Sequence, residues 1–223
     1  MKVLALLPMK GHSERVPNKN MRLFNGRPLY HCIAQVLQES SLVNVFVIDT
    51  DSDMIAEDAV KHFSKARVVK RPDALCGDLV PMNDIIAHDI FLHEAEHYLQ
   101  THSTNPLLTV STLNLAIHKY FSSLDVCDSL FSVTRLQTRL YWESGKPVNH
   151  NPLELLRTQD LPPLFEENSN FYLFSKSSFT AAGNKRIGLA PQMFEVNKLE
   201  AVDIDEEEDF RIAELLYATR KAE

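Results

Sequence analysis

The sequence predicts an α/β fold: a mostly parallel sheet with helices covering both faces. Three observations predict it. Short apolar runs, VLALL at 3–7 and VNVFVID at 43–49, lack the alternation of a half-solvated strand and suit a sheet buried on both sides. Each run gives way to a polar loop and then to apolar residues at helical spacing. Parallel neighbours need crossovers, and the helical stretches supply them.

In order along the chain, residues 8–25 read as a long polar loop with Pro8, Gly11 and Pro17. Pro28 opens a helix striped by Leu29, Ile33 and Leu37 and widened by Cys32 and Val36. The strand at 43–49 stops in DTDSD, too acidic to stay buried, and a helix carrying Ile55, Ala59 and Phe63 follows. ARVV at 66–69 is a short strand ending at Lys70, Arg71 and Pro72. Pro81 starts a helix whose apolar face is Ile85, Ile86, Ile90 and Phe91. HYLQTH at 97–102 is a strand entering the polar STNP loop. Ser111 or Thr112 begins a helix carrying Leu115 and Ile117, and SLFSVT at 129–134 is the next strand.

Residues 135–172 break this rhythm with two proline-containing turns and several aromatics. They read as a small extension or β-arm on a single domain spanning 1–223, of a kind that packs on a twin subunit. Near the C-terminus, Asp205 followed by Glu208 fits an N-cap with its acid at N3. Phe210, Ala213, Leu216 and Tyr217 then form the buried face of a helix.

Composition excludes several classes. The chain has 223 residues, 44% hydrophobic and 24% charged, with a formal net charge of -7. That acidic balance, with no basic aromatic platform, argues against a nucleic-acid partner. No apolar run reaches the roughly eighteen residues a membrane helix needs, so no membrane partner is expected. The first apolar segment lacks a signal-peptide cleavage pattern. Cys32, Cys76 and Cys127 are scattered, without a CxxC, which fits a reducing, cytoplasmic setting and no zinc site. GxGxxG, the P-loop signature, HExxH and GxSxG are all absent. His88 and His93 read as ordinary helix-surface residues.

In a doubly wound sheet, ligands bind outside the carboxyl ends of the strands. Four polar stretches should meet there: KGHSERVPNKN (10–20), DTDSD (49–53), QTHSTNP (100–106) and VDID (202–205). Lys10, Arg15 and Lys19 suit a polyphosphate, lysine as a mobile point charge and arginine as a planar fork. Backbone amides around Gly11, His12 and Ser13 would add donors. The plain alternative is a solvated basic loop. Asp203 and Asp205, one residue apart, share a face in an extended segment and offer hard oxygen ligands for Mg²⁺ or Mn²⁺. Capping the following helix is the competing role. Asp49, Asp51 and Asp53 form a second acidic group, in which Asp53 can cap a helix. Gln100 and the Ser103–Thr104–Asn105–Pro106 turn offer amides and hydroxyls to a base or sugar, or simply build an Asx or Ser/Thr turn.

Together these stretches resemble the cytidylyltransferases that activate acidic sugars: the CMP-N-acylneuraminate synthetases, with the CMP-Kdo synthetases more distant. The resemblance runs through LLPMKGHSERVPNKNMRLFNGRPL (6–29), VFVIDTDSDMIAEDA (45–59), VVKRPDAL (68–75), LQTHSTNPL (99–107), RTQDLPPLFEENSNFY (157–172) and VDIDEEEDF (202–210), in order and spacing. It implies a Rossmann-like three-layer nucleotidyltransferase fold with a small β-rich dimerisation arm. It also implies transfer of CMP from CTP to a 2-keto-3-deoxy sugar acid such as an N-acylneuraminate or related nonulosonate, with release of pyrophosphate. Under it the 10–20 loop wraps the triphosphate, with Ser13, Lys19 and Asn20 at its polar positions and Lys10 and Lys19 as catalytic charges. Arg71 lies near the nucleotide. Gln100 lines the sugar pocket, with Ser103 and Asn105 beside it. Asp203 and Asp205 bind the catalytic Mg²⁺. The enzyme would act as a homodimer.

Departures from the pattern bear on substrate choice. Lys10 stands where arginine is usual, Glu14 where lysine is common, and Leu108 where a basic residue often follows. Asn168–Ser169 replaces an Asn–Gly pair. These leave open another sugar acid, another nucleotide or a silent nucleotide-binding regulator, and the general base is not assigned.

Overall fold

A computed structural model describes residues 1–220. Its centre is a seven-stranded sheet. Strand β1 (Val3–Leu6) leaves into the long loop, which holds one 3-10 turn and a two-stranded hairpin, β2 (Leu23–Phe24) and β3 (Arg27–Pro28). Helix α1 (His31–Glu39), β4 (Val43–Thr50), α2 (Asp53–His62) and β5 (Ala66–Lys70) complete the first half. Helix α3 (Met82–Leu92), β6 (His97–Thr101), α4 (Val110–Ser122) and β7 (Ser129–Leu136) follow. Then come β8 (Leu164–Ser175), α5 (Lys176–Ala181), β9 (Pro191–Glu195) and α6 (Glu207–Arg220).

The strands lie in the order β5-β4-β1-β6-β8-β7-β9. Pairing is parallel except on the two sides of β8, which runs antiparallel to β6 and β7. The expected mostly parallel α/β sheet is therefore present. Two apolar layers sandwich it. Ala5, Leu7, Phe46, Ile48 and Leu99 face α1 and α4, while Leu6, Val47, Tyr98, Tyr172 and Phe174 face α3 and α5. Alternate residues of β1 and β4 feed opposite layers, which is why those strands read as unbroken apolar runs.

A third cluster, Val16, Phe24, Leu29, Cys32, Ile204 and Phe210, joins the long loop to the start of α6. Arg22 doubly ion-pairs Glu207, and Asn25 donates its backbone N–H to Glu214 Oε1 at 2.9 Å. The polar loop is thus anchored at its far end, which places its near end over the sheet.

Several local expectations are corrected. Pro28 sits in β3 rather than opening a helix, because Asn25 and Gly26 (φ 49° and 83°) turn the chain into a hairpin first. Helix α1 starts three residues later, at His31. Phe91 is 84% exposed and Leu115 60% exposed. The buried stripe of α3 runs Ile85, Ile86, Asp89, Ile90, so a carboxyl group occupies a position that a hydrophobic pattern cannot flag. That of α4 runs Leu113, Ala116, Ile117, Tyr120. Asp205 does not cap α6; Asp209 does the reciprocal part instead, accepting from the backbone N–H groups of Asp205 and Glu206 at 3.1 and 2.8 Å. The segment 135–172 gives both its ends to the main sheet as β7 and β8. Only residues between them leave it, held by a bridge between Tyr141 and Pro147. Among the described residues, no helix is long and apolar enough to cross a membrane.

Candidate active site

A pocket of about 390 Å³ opens at the carboxyl ends of β1 and its neighbours. The loop after β1 supplies Lys10, Ser13, Arg15, Lys19 and Asn20 to its wall, and Arg71 and Ser103 enter from the ends of β5 and β6. Six of the expected site residues therefore do share one cavity with Arg71. Its shape depends on close backbone approach at Gly11, where a Cβ would lie 2.7 Å from the Ser52 Cβ. Gly11 donates its N–H to Asp51 Oδ1 at 2.6 Å, so that amide is engaged within the chain rather than offered to a ligand.

Asn20 fastens the loop from inside. Its Nδ2 donates to the Lys10 carbonyl at 2.8 Å, and its Oδ1 accepts from Ser103 Oγ at 2.7 Å. Ser103 is thereby a strut between β6 and the loop. Asn105 is fully buried and does not line the pocket; its Nδ2 donates to the Val202 carbonyl at 3.4 Å. With Ile204 N–H donating to the Thr104 carbonyl at 3.0 Å, this ties the VDID segment beside the end of β6.

The charges meet at the rim. Lys19 Nζ donates to the Ile204 carbonyl at 2.6 Å, between the two acids of that segment. Burial pulls Lys19 below the usual lysine range, while Asp205 and then Asp203 oppose that shift. Burial pushes Asp203 above the usual carboxylate range, partly offset by a hydrogen bond from Thr104. Its Oδ1 is buried without a hydrogen-bond partner among the described residues. Asp205 is exposed, and its Oδ1 accepts from Arg15 Nη2 at 2.6 Å; Arg15 Nη1 also lies 3.3 Å from Glu206. Lys10 pairs with Asp78, whose carboxyl is held below its usual range by that bond. Asp78 and His12 also line the pocket, and the sequence pattern marks neither side chain.

The donor set fits a hard cation. Asp203 brings a buried carboxylate oxygen that no described residue satisfies, and Asp205 a second carboxylate near the same lysine.

Gln100 lies on the α3 face of the sheet, outside the pocket wall, and is fully buried. Arg186, which the sequence reading missed, donates from Nη1 to Gln100 Oε1 at 2.7 Å. Its guanidinium stacks 4.1 Å above the Tyr172 ring, whose hydroxyl is pushed up to about 12, chiefly by burial. Burial holds Arg186 below its usual value, and it forms no ion pair with any described residue. Beside it, desolvation and then Arg186 keep half-buried His102 well below the usual imidazole range, so the ring is neutral. Glu167, held by the Tyr172 hydroxyl, partly compensates Arg186 without pairing with it, which leaves the guanidinium a candidate seat for an outside anion. Arg186 follows a short helix in a segment with no motif, so only the stray Lys–Arg pair could have flagged it.

Comparison with known proteins gives a consistent picture. The family model described as cytidylyltransferase matches residues 4–222. A pseudaminic acid cytidylyltransferase of Campylobacter jejuni is 25% identical, over 97% of this chain and 97% of that protein. A CMP-N,N'-diacetyllegionaminic acid synthase of Legionella pneumophila is 27% identical, over 97% and 96%. Among solved structures, a CMP:2-keto-3-deoxy-manno-octonic acid synthetase complexed with CTP superposes with a TM-score of 0.70 at 12% identity, covering 99% of this chain and 100% of that one. That last likeness bears on the fold.

Proposed function

The chain belongs to the cytidylyltransferase family and is a nucleotidyltransferase; from that premise we propose that it transfers CMP from CTP to a nonulosonate or related 2-keto-3-deoxy sugar acid. The observation that carries this reading is the meeting of the Lys19 ammonium with Asp203 and Asp205 at the rim of a pocket walled by Lys10, Arg15 and Arg71. A basic loop alone would suit any anion. A basic loop facing a carboxylate pair suits a polyphosphate that arrives with a cation.

In this reading the triphosphate lies along the 10–20 loop. Lys10 and Lys19 balance its charge, including charge that develops on pyrophosphate. Arg15 exchanges the Asp205 carboxylate for a phosphate when the nucleotide enters. Asp203 and Asp205 would hold Mg²⁺ or Mn²⁺, which when bound supplies charge compensation to the phosphates. The anomeric hydroxyl of the acid attacks the α-phosphorus of CTP. The new bond joins that oxygen to phosphorus, the hydroxyl proton passes to solvent, the bond to the β-phosphate oxygen breaks, and pyrophosphate leaves opposite. Catalysis comes from positioning and electrostatics, and no protein nucleophile takes part.

The acceptor's carboxylate is assigned to Arg186, which Gln100 orients through its Oε1. Names of relatives support the same substrate class: they are described as acting on pseudaminic and legionaminic acids. A homodimer belongs to the same reading, with the excursion between β7 and β8 as its contact.

The test is pyrophosphate release from CTP with Mg²⁺, with pseudaminic, legionaminic, N-acetylneuraminic and Kdo acids offered separately. Release that depends on one acid supports the reading and names the substrate. CTP binding without release for every acid would contradict it.

A further inference from the structure

Two carboxyl groups lie fully buried just behind the pocket: Asp49 at the end of β4 and Asp89 on α3. Asp89 occupies the apolar stripe of α3, between Ile86 and Ile90, and meets Asp49 across the layer. Asp49 Oδ1 accepts from Arg71 Nε, and its backbone carbonyl accepts from Arg71 Nη2 at 3.0 Å. Arg71, so held, forms part of the pocket wall. This leaves Asp49 Oδ2 and both Asp89 oxygens buried with no N–H or O–H donor among the described residues. His88, the remaining neighbour, keeps its Nδ1 3.8 Å from Asp49 Oδ2 and 3.8 Å from Asp89 Oδ1, beyond hydrogen-bonding reach. It is a member of this cluster rather than the plain surface residue expected from the sequence.

The charges do not balance as bare ions. Arg71 neutralises one carboxylate, and a second beside it would be an uncompensated buried charge. Two carboxyl groups in contact and out of water share a proton rather than both ionising. One proton also resolves two of these three orphaned oxygens, Asp49 Oδ2 and one of Asp89, because a carboxylic acid donates where a carboxylate cannot.

We infer that Asp89 carries a proton and donates it to Asp49 Oδ2, so that an acid–carboxylate pair fixes Arg71 at the nucleotide pocket. Asp89 is a positioning residue that acts through Asp49. The inference rests on the proposed function only for the identity of the ligand that Arg71 meets. Desolvation, and then the Asp49 charge, push Asp89 up to about 8. The titratable and charged groups facing it are Asp49 from β4, Arg71 from the segment after β5, and His88 from its own helix. Above that pH the pair gains a second negative charge and its hold on Arg71 is redistributed. The same three acid and imidazole groups have ligand atoms within 4.8 Å of one another, so cation binding is the rival outcome.

Infrared difference spectra between the full-length wild type and Asp89→Asn test the proton directly. Calorimetric titration with CTP at about pH 7 and about pH 9 tests its consequence. The expected result is a protonated-carboxyl band at neutral pH, absent from Asp89→Asn and fading through about pH 8. Wild-type affinity for CTP should then fall several-fold at the higher pH relative to Asp89→Asn, whose side-chain amide donates the same bond at every pH. Absence of the band overturns the inference. So does an identical pH profile in the two proteins. So does Mn²⁺ binding to the CTP-free wild type that Asp89→Asn loses and Asp203→Asn keeps. If Asp89→Asn fails to fold, carbon-13 titration of the wild-type carboxyl groups makes the same decision. A wild type that shows the band but binds no CTP would overturn the nucleotide reading and the role of Arg71 with it, while keeping the proton-sharing pair.

Discussion

Lys19 and Asp203 carry opposite burdens that substitution can separate. Lys19 gives up hydration to sit between two acids, so its role is interaction rather than stability. Lys19→Met should weaken CTP binding about tenfold or more, the scale of one charge-assisted hydrogen bond, with little change in melting temperature. Asp203 is held above its usual range by burial, so its folded value exceeds the unfolded one. Such a group favours the folded state at low pH, and that contribution fades as pH rises through the folded value. Asp203→Asn should therefore abolish metal-dependent turnover yet leave the protein as stable or more stable near pH 8, as thermal melts with and without Mg²⁺ would show. Arg186→Met should raise KM for the sugar acid about tenfold or more while leaving KM for CTP unchanged. At this scale the sequence was informative where charge stood in a patterned loop, as at Lys10, Arg15 and Lys19. It was silent on Arg186 and Asp89, whose meaning comes from neighbours distant in the chain: Gln100 and Asp49.

The elements that carry the site are legible in proportion to their hydrophobic pattern. Strands β1 and β4 announce themselves as unbroken apolar runs because both their faces are covered. The hairpin β2–β3 was hidden inside a polar loop, although Asn25–Gly26 is a strong turn signal. It matters, because it anchors the loop on α6 through Phe24, Phe210 and the Arg22–Glu207 pair. The loop's near end depends instead on Gly11. Gly11→Ala forces a Cβ to within 2.7 Å of the Ser52 Cβ, so the loop or the start of α2 must shift. The expected result is a several-fold rise in KM for CTP with a stability loss of about 1–3 kcal/mol, read from kinetics and chemical denaturation. The expected cap at Asp205 failed for a related reason. Helix α6 begins at Glu207, one residue too late for Asp205 to cap it; Asp205 pairs with Arg15 instead, and Asp209 accepts from the backbone N–H groups of Asp205 and Glu206.

At the scale of the whole molecule, alternation of strands and helices was enough to read the layered sheet. The antiparallel placement of β8 was not, because it depends on where the 135–172 segment returns rather than on its composition. That segment leaves Leu153 and Leu155 92% and 93% exposed, which fits the proposed dimer contact. The proposed dimer predicts that the wild type sediments as a dimer and a Leu153→Asp, Leu155→Asp double variant as a monomer. Transfer of CMP to an acidic sugar is decided by phosphorus NMR of CTP, Mg²⁺ and the panel of acids with the wild-type protein. The expected result is that one acid yields a new phosphodiester resonance and pyrophosphate in equal amounts. CTP consumed to orthophosphate, or left intact with every acid while bound, would contradict it.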